Sequence, residues 1–299
     1  MATKLRGIKP ASVSKRLKGL WYGPAGVGKT MAAIQFPRPY LIDTERGAEN
    51  QQYVDALEKA GGVYFATTDP IELNSEVLAL LSEKHEYQTL IIDPLTTIYD
   101  RLIEKGIAER GEEFGRYKTV SDRAIKHLLS LLLRLDMNVV VTSHSKEKWV
   151  RSKDANGRDI ATQEGITYDC YPKLDYLFDL VFEVGRQGED RVGIVRKTRI
   201  DAFPEGEVFP FSYNTIADKY GRALLERAAV PTKLATEKQV KELSGLLENR
   251  KDGDELLAKI LRKSGAERLE EMDCDLTKKA IDALLKQLVK TENNGGSND

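Results

Sequence analysis

Between residues 18 and 201 short apolar runs alternate with longer stretches in which apolar positions recur every three or four residues. The runs are Gly19-Leu20-Trp21-Tyr22, Tyr40-Leu41-Ile42-Asp43, Val63-Tyr64-Phe65-Ala66, Thr89-Leu90-Ile91-Ile92-Asp93 and Asn138-Val139-Val140-Val141-Thr142. Continuous apolar runs of this length suit strands covered on both faces, and the helical spacing between them suits the helices that cover them. Ala124, His127, Leu128, Leu131, Leu132 and Leu135 fall on one side of such a helix. The pattern predicts an α/β fold with a mainly parallel central sheet flanked by helices.

Residues 180–184 and 192–196 flank Gly188-Glu189-Asp190, which predicts an antiparallel hairpin extending the sheet. Residues 201–220, rich in Gly, Pro and aromatics, are expected to close the edge of this first domain, which runs over 1–228. A linker over 229–235 leads to charged, amphipathic sequence at 236–290. There Thr236-Glu237-Lys238-Gln239 can open a helix as a capping box, and segments at 254–263 and 277–289 predict two more, together a small helical module. The tail 291–299 has nothing to bury and is expected to be disordered.

The chain has 299 residues, enough for an enzyme-sized core plus a small module, with Lys+Arg 46 against Asp+Glu 47. That balance excludes a wholly basic nucleic-acid coat and leaves room for a local basic strip. No apolar run approaches the ~20 residues of a membrane span. The basic opening MATKLRGIKP is followed by no apolar segment, so secretion is not expected. Cys170 and Cys274 belong to no CxxC and to no cluster with His85, His127 or His144, which argues against structural zinc and suits a reducing compartment.

Gly23-Pro24-Ala25-Gly26-Val27-Gly28-Lys29-Thr30 is a complete GxxxxGK(S/T) between a short strand and an Ala-rich helix. Its glycines let the backbone curl so that successive N–H groups face phosphate oxygens, and the positive end of the following helix favours the same anion. Lys29 is expected to reach the β- and γ-phosphates of ATP, and Thr30 to place its hydroxyl on Mg²⁺. Asp93 ends an apolar strand, where ligands bind in open α/β sheets, and is expected to hold the Mg²⁺ hydration shell. Hydrolysis also needs a group to ready water. In many ATPases of the AAA+ arrangement a glutamate directly after the magnesium aspartate does this, but Pro94 stands there. Glu45, ending the run that begins at Tyr40, is the candidate base, on the expectation that its strand lies next to the phosphate-loop strand. Asp43 and Glu49 compete with it.

Glu45, Asp93 and the phosphate loop together resemble the RecA-like recombinase core. Most similar are the phage-encoded RecA-like P-loop ATPases that include the Sak-type single-strand annealing proteins, with their Asp-x-Glu strand end and Thr-x-His after the next strand. The resemblance covers about residues 18–199 and implies a RecA-like P-loop NTPase, cytoplasmic in a bacterial host, that self-associates into a ring or filament. It implies that His144 senses the γ-phosphate, although RecA-like proteins usually carry Gln there. It also implies that Lys197 and Arg199 reach a neighbouring subunit's ATP.

The segment 145–171 is polar and reads as a long loop carrying Lys146, Lys148, Trp149, Arg151, Lys153 and Arg158. Cations neutralise phosphates and an indole stacks on any base, so this segment is expected to contact single-stranded DNA. The competing reading is a solvated charged loop with Trp149 packed on its own domain. The leading function is an ATPase acting on single-stranded DNA in recombination or annealing, with a single-strand-binding protein or a helicase as further partner. The alternative is an ATP-gated helicase loader or replication switch acting on a protein. A small-molecule kinase is disfavoured, because no Arg-rich lid follows a helix.

Overall fold

The apolar runs lie side by side in one eight-stranded sheet. The computed structural model describes residues 16–153 and 157–295. In chain order the elements are β1 (Lys18–Tyr22), α1 (Lys29–Ile34), β2 (Pro39–Asp43), α2 (Gln51–Ala60), β3 (Val63–Ala66), α3 (Pro70–Ser82), β4 (Thr89–Asp93), α4 (Leu95–Arg110), α5 (Lys118–Arg134) and β5 (Asn138–Ser143). They continue with β6 (Ser145–Lys153), β7 (Asp159–Tyr168), β8 (Leu180–Gln187), β9 (Asp190–Thr198), β10 (Val208–Pro210), α6 (Tyr213–Tyr220), α7 (Arg222–Leu225), α8 (Glu237–Glu248), α9 (Gly253–Ser264) and α10 (Cys274–Gly295).

The strand order is β10-β9-β8-β1-β5-β4-β2-β3. The strands from β8 to β3 in that order are parallel, and β9 and β10 add an antiparallel margin. Side chains alternate between the two faces, as the pleat requires. Leu20, Ile42, Leu90, Ile92, Val139 and Val141 join one apolar cluster with residues of α3, α4 and α5. Trp21, Leu41, Ile91 and Val140 join another with residues of α1, α2, α6 and α7. The fold is thus a helix–sheet–helix sandwich, and the C-terminal ends of β1, β2, β4 and β5 share one edge. The expected hairpin and sheet edge at 180–220 form β8, β9 and β10.

Two features depart from the sequence expectation. The strand β2 does not adjoin β1, since β5 and β4 lie between them. Those two are buried over nearly their whole length, whereas β3 is largely exposed at the margin. The segment 145–171 is no loop but mainly an antiparallel hairpin, β6–β7, forming a sheet of its own. Its strands are exposed on both faces for most of their length, so no apolar alternation marked them.

Helices α8–α10 enclose a separate apolar cluster around Leu243, Leu247, Met272, Ile281 and Leu284. The Thr236–Gln239 capping box is made. The last helix runs through Gly295, beyond the point where the tail was expected to lose order; 296–299, like the basic opening residues 1–15, lie outside the described residues. Both cysteines are free thiols, and burial pushes that of Cys170 up to about 12. Among the described residues no helix is long and apolar enough to cross a membrane.

The module docks on α5 through Glu271, which is 1% exposed. The side chain of Arg134 donates to the Glu271 carbonyl at 2.7 Å, and His127 Nε2 lies 3.4 Å from its carboxylate. Burial pushes this carboxyl up, but hydrogen bonds from His127, the Glu267 N–H and Arg268 outweigh burial and hold it at about 2. A carboxyl depressed from 4.5 to about 2 stabilises the fold fully above 4.5 and loses that contribution as pH falls through about 2. Denaturant unfolding of Glu271→Gln is therefore expected to show a deficit at pH 7 that narrows steadily below pH 4.5. A deficit that stays constant with pH would exclude this linkage.

Candidate functional site

The turn from β1 to α1 is built for close approach. A Cβ on Gly23 would come within 2.1 Å of the Val184 carbonyl oxygen, so only glycine fits against β8. Gly28 starts α1 with φ 92°, a left-handed conformation that side chains disfavour. Between these two points the loop holds Lys29 folded inward, its Nζ donating to the Gly23 carbonyl at 2.8 Å and the Pro24 carbonyl at 2.9 Å. Burial lowers the pKa of this ammonium, while Asp93 and Glu45 oppose that shift, so both carboxylates bear on it.

Asp93, at the end of β4, meets the loop from the side. Thr30 Oγ1 donates to Asp93 Oδ2 at 2.6 Å, and the Thr142 hydroxyl at the end of β5 donates to Oδ1. Burial raises the Asp93 pKa, and the hydroxyls of Thr142 and Thr30 and the Lys29 charge pull against it. A hydroxyl and a carboxylate at hydrogen-bond distance, beside a glycine loop, are the hard oxygen donors that hydrated Mg²⁺ takes next to phosphates. Among the described residues no cluster of three or more His, Cys, Asp or Glu offers an all-protein metal cage. Thr30 and Asp93 thus fit a metal bound through nucleotide and water.

Although β2 is two strands removed from β1, its C-terminal turn returns to the same place. The Thr44 N–H donates to the Asp93 carbonyl at 3.0 Å, which ties the two strand ends together. Asp43 turns back to accept from the N–H groups of Glu45 and Gly47 at 3.1 and 3.2 Å. It shapes the turn, and Glu49 is exposed on the short helical turn that follows. Glu45 is the acid that reaches inward: its Oε1 lies 3.1 Å from His144 Nε2 and accepts from Thr97 Oγ1 at 3.1 Å. His144 follows β5 directly, and its N–H donates to Thr96 Oγ1 at 3.0 Å. Phosphate loop, Asp93, Glu45 and His144 therefore form one constellation at the strand ends. The orienting hydroxyls of Thr96, Thr97 and Thr142 went unassigned in the sequence reading, although two threonines opening a helix just after Asp93 were a signal.

The hairpin β6–β7 springs from His144. Trp149, Arg151 and Lys153 alternate along β6 and so share a face; Trp149 is 59% exposed, with its indole N–H donating to Glu147. Lys148 and Arg158 are exposed as well, while Lys146 pairs with Asp169 at 2.9 Å near the root. Lys197 and Arg199 are held by their own chain. Lys197 Nζ donates to the carbonyls of Asp175 (2.9 Å) and Phe178, and Arg199 pairs with Asp179 at 3.4 Å and donates to the Tyr176 carbonyl at 2.7 Å.

Two further cations, missed in the sequence, lie at the phosphate loop. Arg186 Nη2 donates to the Gly26 carbonyl at 3.1 Å, and the Arg191 guanidinium stands against Gly28. Nothing local to 180–199 signals this, because the approach depends on β8 pairing with β1.

No curated protein matches the chain. The family model described as AAA domain matches residues 15–204, which span β1 to β9 with the phosphate loop, Asp93 and the hairpin. Well over half of the chain lies in that match, and its mostly parallel sheet with a glycine-rich phosphate loop is a P-loop NTPase fold: the chain belongs to the AAA domain family.

Proposed function

We propose that this protein is a Mg²⁺-dependent, RecA-like ATPase that acts on single-stranded DNA in phage recombination or annealing. The observation that carries the reading is the contact between Glu45 and His144. In this reading Glu45 polarises the water that attacks the γ-phosphate, and His144 is the residue from which the cationic hairpin emerges. One side-chain contact thus joins the chemistry to the surface suited to nucleic acid. The hairpin root is tied to the same point, since the Asp169 N–H donates to the His144 carbonyl at 2.8 Å.

In this reading ATP orders the hairpin onto the strand, and hydrolysis releases it. Self-association, with Lys197 and Arg199 reaching a neighbour's nucleotide, belongs to the same proposal and requires both cations to let go of residues 175–179. The test is the ATPase rate with and without single-stranded DNA, with the assembly state followed in the same sample. Stimulation together with assembly supports the reading. An unchanged rate favours a nucleotide-gated switch on a protein partner.

A second measurement addresses the hairpin alone. Alanine at Lys148, Trp149 and Arg151 is expected to weaken single-strand binding and to flatten its salt dependence by about 0.7 per lost phosphate contact. Loss of the indole should remove a further ~1–3 kcal/mol of base stacking. Unaltered affinity and slope would place the DNA contact elsewhere or nowhere.

A further inference from the structure

The sheet order separates two sides of the phosphate loop. Asp93, Glu45 and His144 reach it from β5 and the strands beyond it, the side that the proposed reading gives to the γ-phosphate and the metal. The β8–β9 hairpin flanks β1 on the opposite side and brings up two cations of its own.

Arg186 and Arg191 sit directly opposite one another in the β8–β9 ladder. Like charges placed opposite each other destabilise a strand pair, and an anion held between them would relieve that repulsion. Neither guanidinium has a carboxylate partner among the described residues, and the Arg191 side chain makes no hydrogen bond there. Both are exposed, yet both lean on the phosphate loop: Arg186 holds the Gly26 carbonyl, and Arg191 covers Gly28, where an added Cβ would lie 2.7 Å from its Nε. Arg191 also borders a cavity of about 400 Å³ walled by Val192, Val208, Phe209 and Pro210 with Gln187 and Asp190 at its polar side, a mix of apolar surface and hydrogen-bonding groups that suits the nucleoside end of a ligand.

We propose that Arg186 and Arg191 form a guanidinium clamp, acting within the same chain, on the phosphates nearest the nucleoside. These are the phosphates that a nucleoside diphosphate and a triphosphate share. The inference rests on the reading that the phosphate loop binds such a nucleotide. Guanidinium forks match phosphate oxygens with two parallel hydrogen bonds, which an ammonium cannot copy. Because the contact is made equally before and during hydrolysis, the clamp tightens binding without changing the chemical step.

Calorimetric titration of ADP and of a non-hydrolysable ATP analogue tests this on Arg186→Ala, Arg191→Ala, Arg191→Lys and the double alanine variant. Arg191→Ala is expected to weaken both ligands by a similar factor of about tenfold or more, with Arg191→Lys in between and the double variant weaker still. Turnover at saturating ATP should hold near the parent value, and the melting temperature without nucleotide should not fall. The Arg191 side chain makes no hydrogen bond or ion pair among the described residues that its removal would break, so this variant decides the matter even if Arg186→Ala melts early. Equal affinity of parent and Arg191→Ala overturns the clamp and leaves the phosphate loop intact as a nucleotide site. A loss confined to the triphosphate, or to turnover at saturation, also overturns it. A parent that binds neither nucleotide brings down the reading of the loop and the clamp together.

Discussion

Glu45→Gln is expected to bind ATP as the parent does and to hydrolyse it about 10²–10⁴-fold more slowly, the range that a positioned general base contributes. The substitution keeps size and a carbonyl oxygen, so Thr97 can still donate to position 45 and the turn after β2, shaped by Asp43, stays as it is. What disappears is the negative charge that draws a proton from water. Single-turnover hydrolysis beside equilibrium binding of a fluorescent ATP analogue separates the two effects. Turnover equal to the parent's would remove Glu45 from the mechanism. Pro94 directly follows Asp93, where many ATPases carry a glutamate, so that result would leave the site without an acid in either place.

Lys29→Ala is expected to abolish both binding and turnover. The ammonium is already at the loop, held by the Gly23 and Pro24 carbonyls, and swinging it onto phosphate exchanges neutral acceptors for charged ones. Hydrogen bonds to charged groups are worth about 1.5–3 kcal/mol each, and two of them lost correspond to a hundredfold or more in affinity. Lys29 is partly exposed and anchors no part of the apolar core, so the melting temperature without nucleotide should be kept. Titration with ATP checks the expectation. Binding within a few-fold of the parent would mean that the loop grips its ligand by backbone alone.

The central strands were legible because strands shielded on both faces must be apolar throughout, and β1, β4 and β5 are. Their order was not legible. Nothing within residues 39–43 says that two other strands intervene before β1; that follows from which runs the helices on both faces can shield. The phosphate loop and Asp93 could be picked out because their chemistry needs a fixed local spacing. Thr142 could not, since its role exists only once Asp93 is brought to it. The hairpin β6–β7 was hidden for the opposite reason: polar on both faces, it carries the composition of a loop, and only cross-strand pairing such as Trp149 with Gln163 makes it a strand pair.

That pairing has a mechanical consequence. Strands of nine and ten residues extend about 30 Å at roughly 3.3 Å per residue. A floppy segment would absorb a nudge at its base, but a stiff ribbon magnifies it. By the same ~3.3 Å rise, a tilt of about 10° where the ribbon leaves the sheet would sweep its far end through about 5 Å, more than one nucleotide's stacking distance.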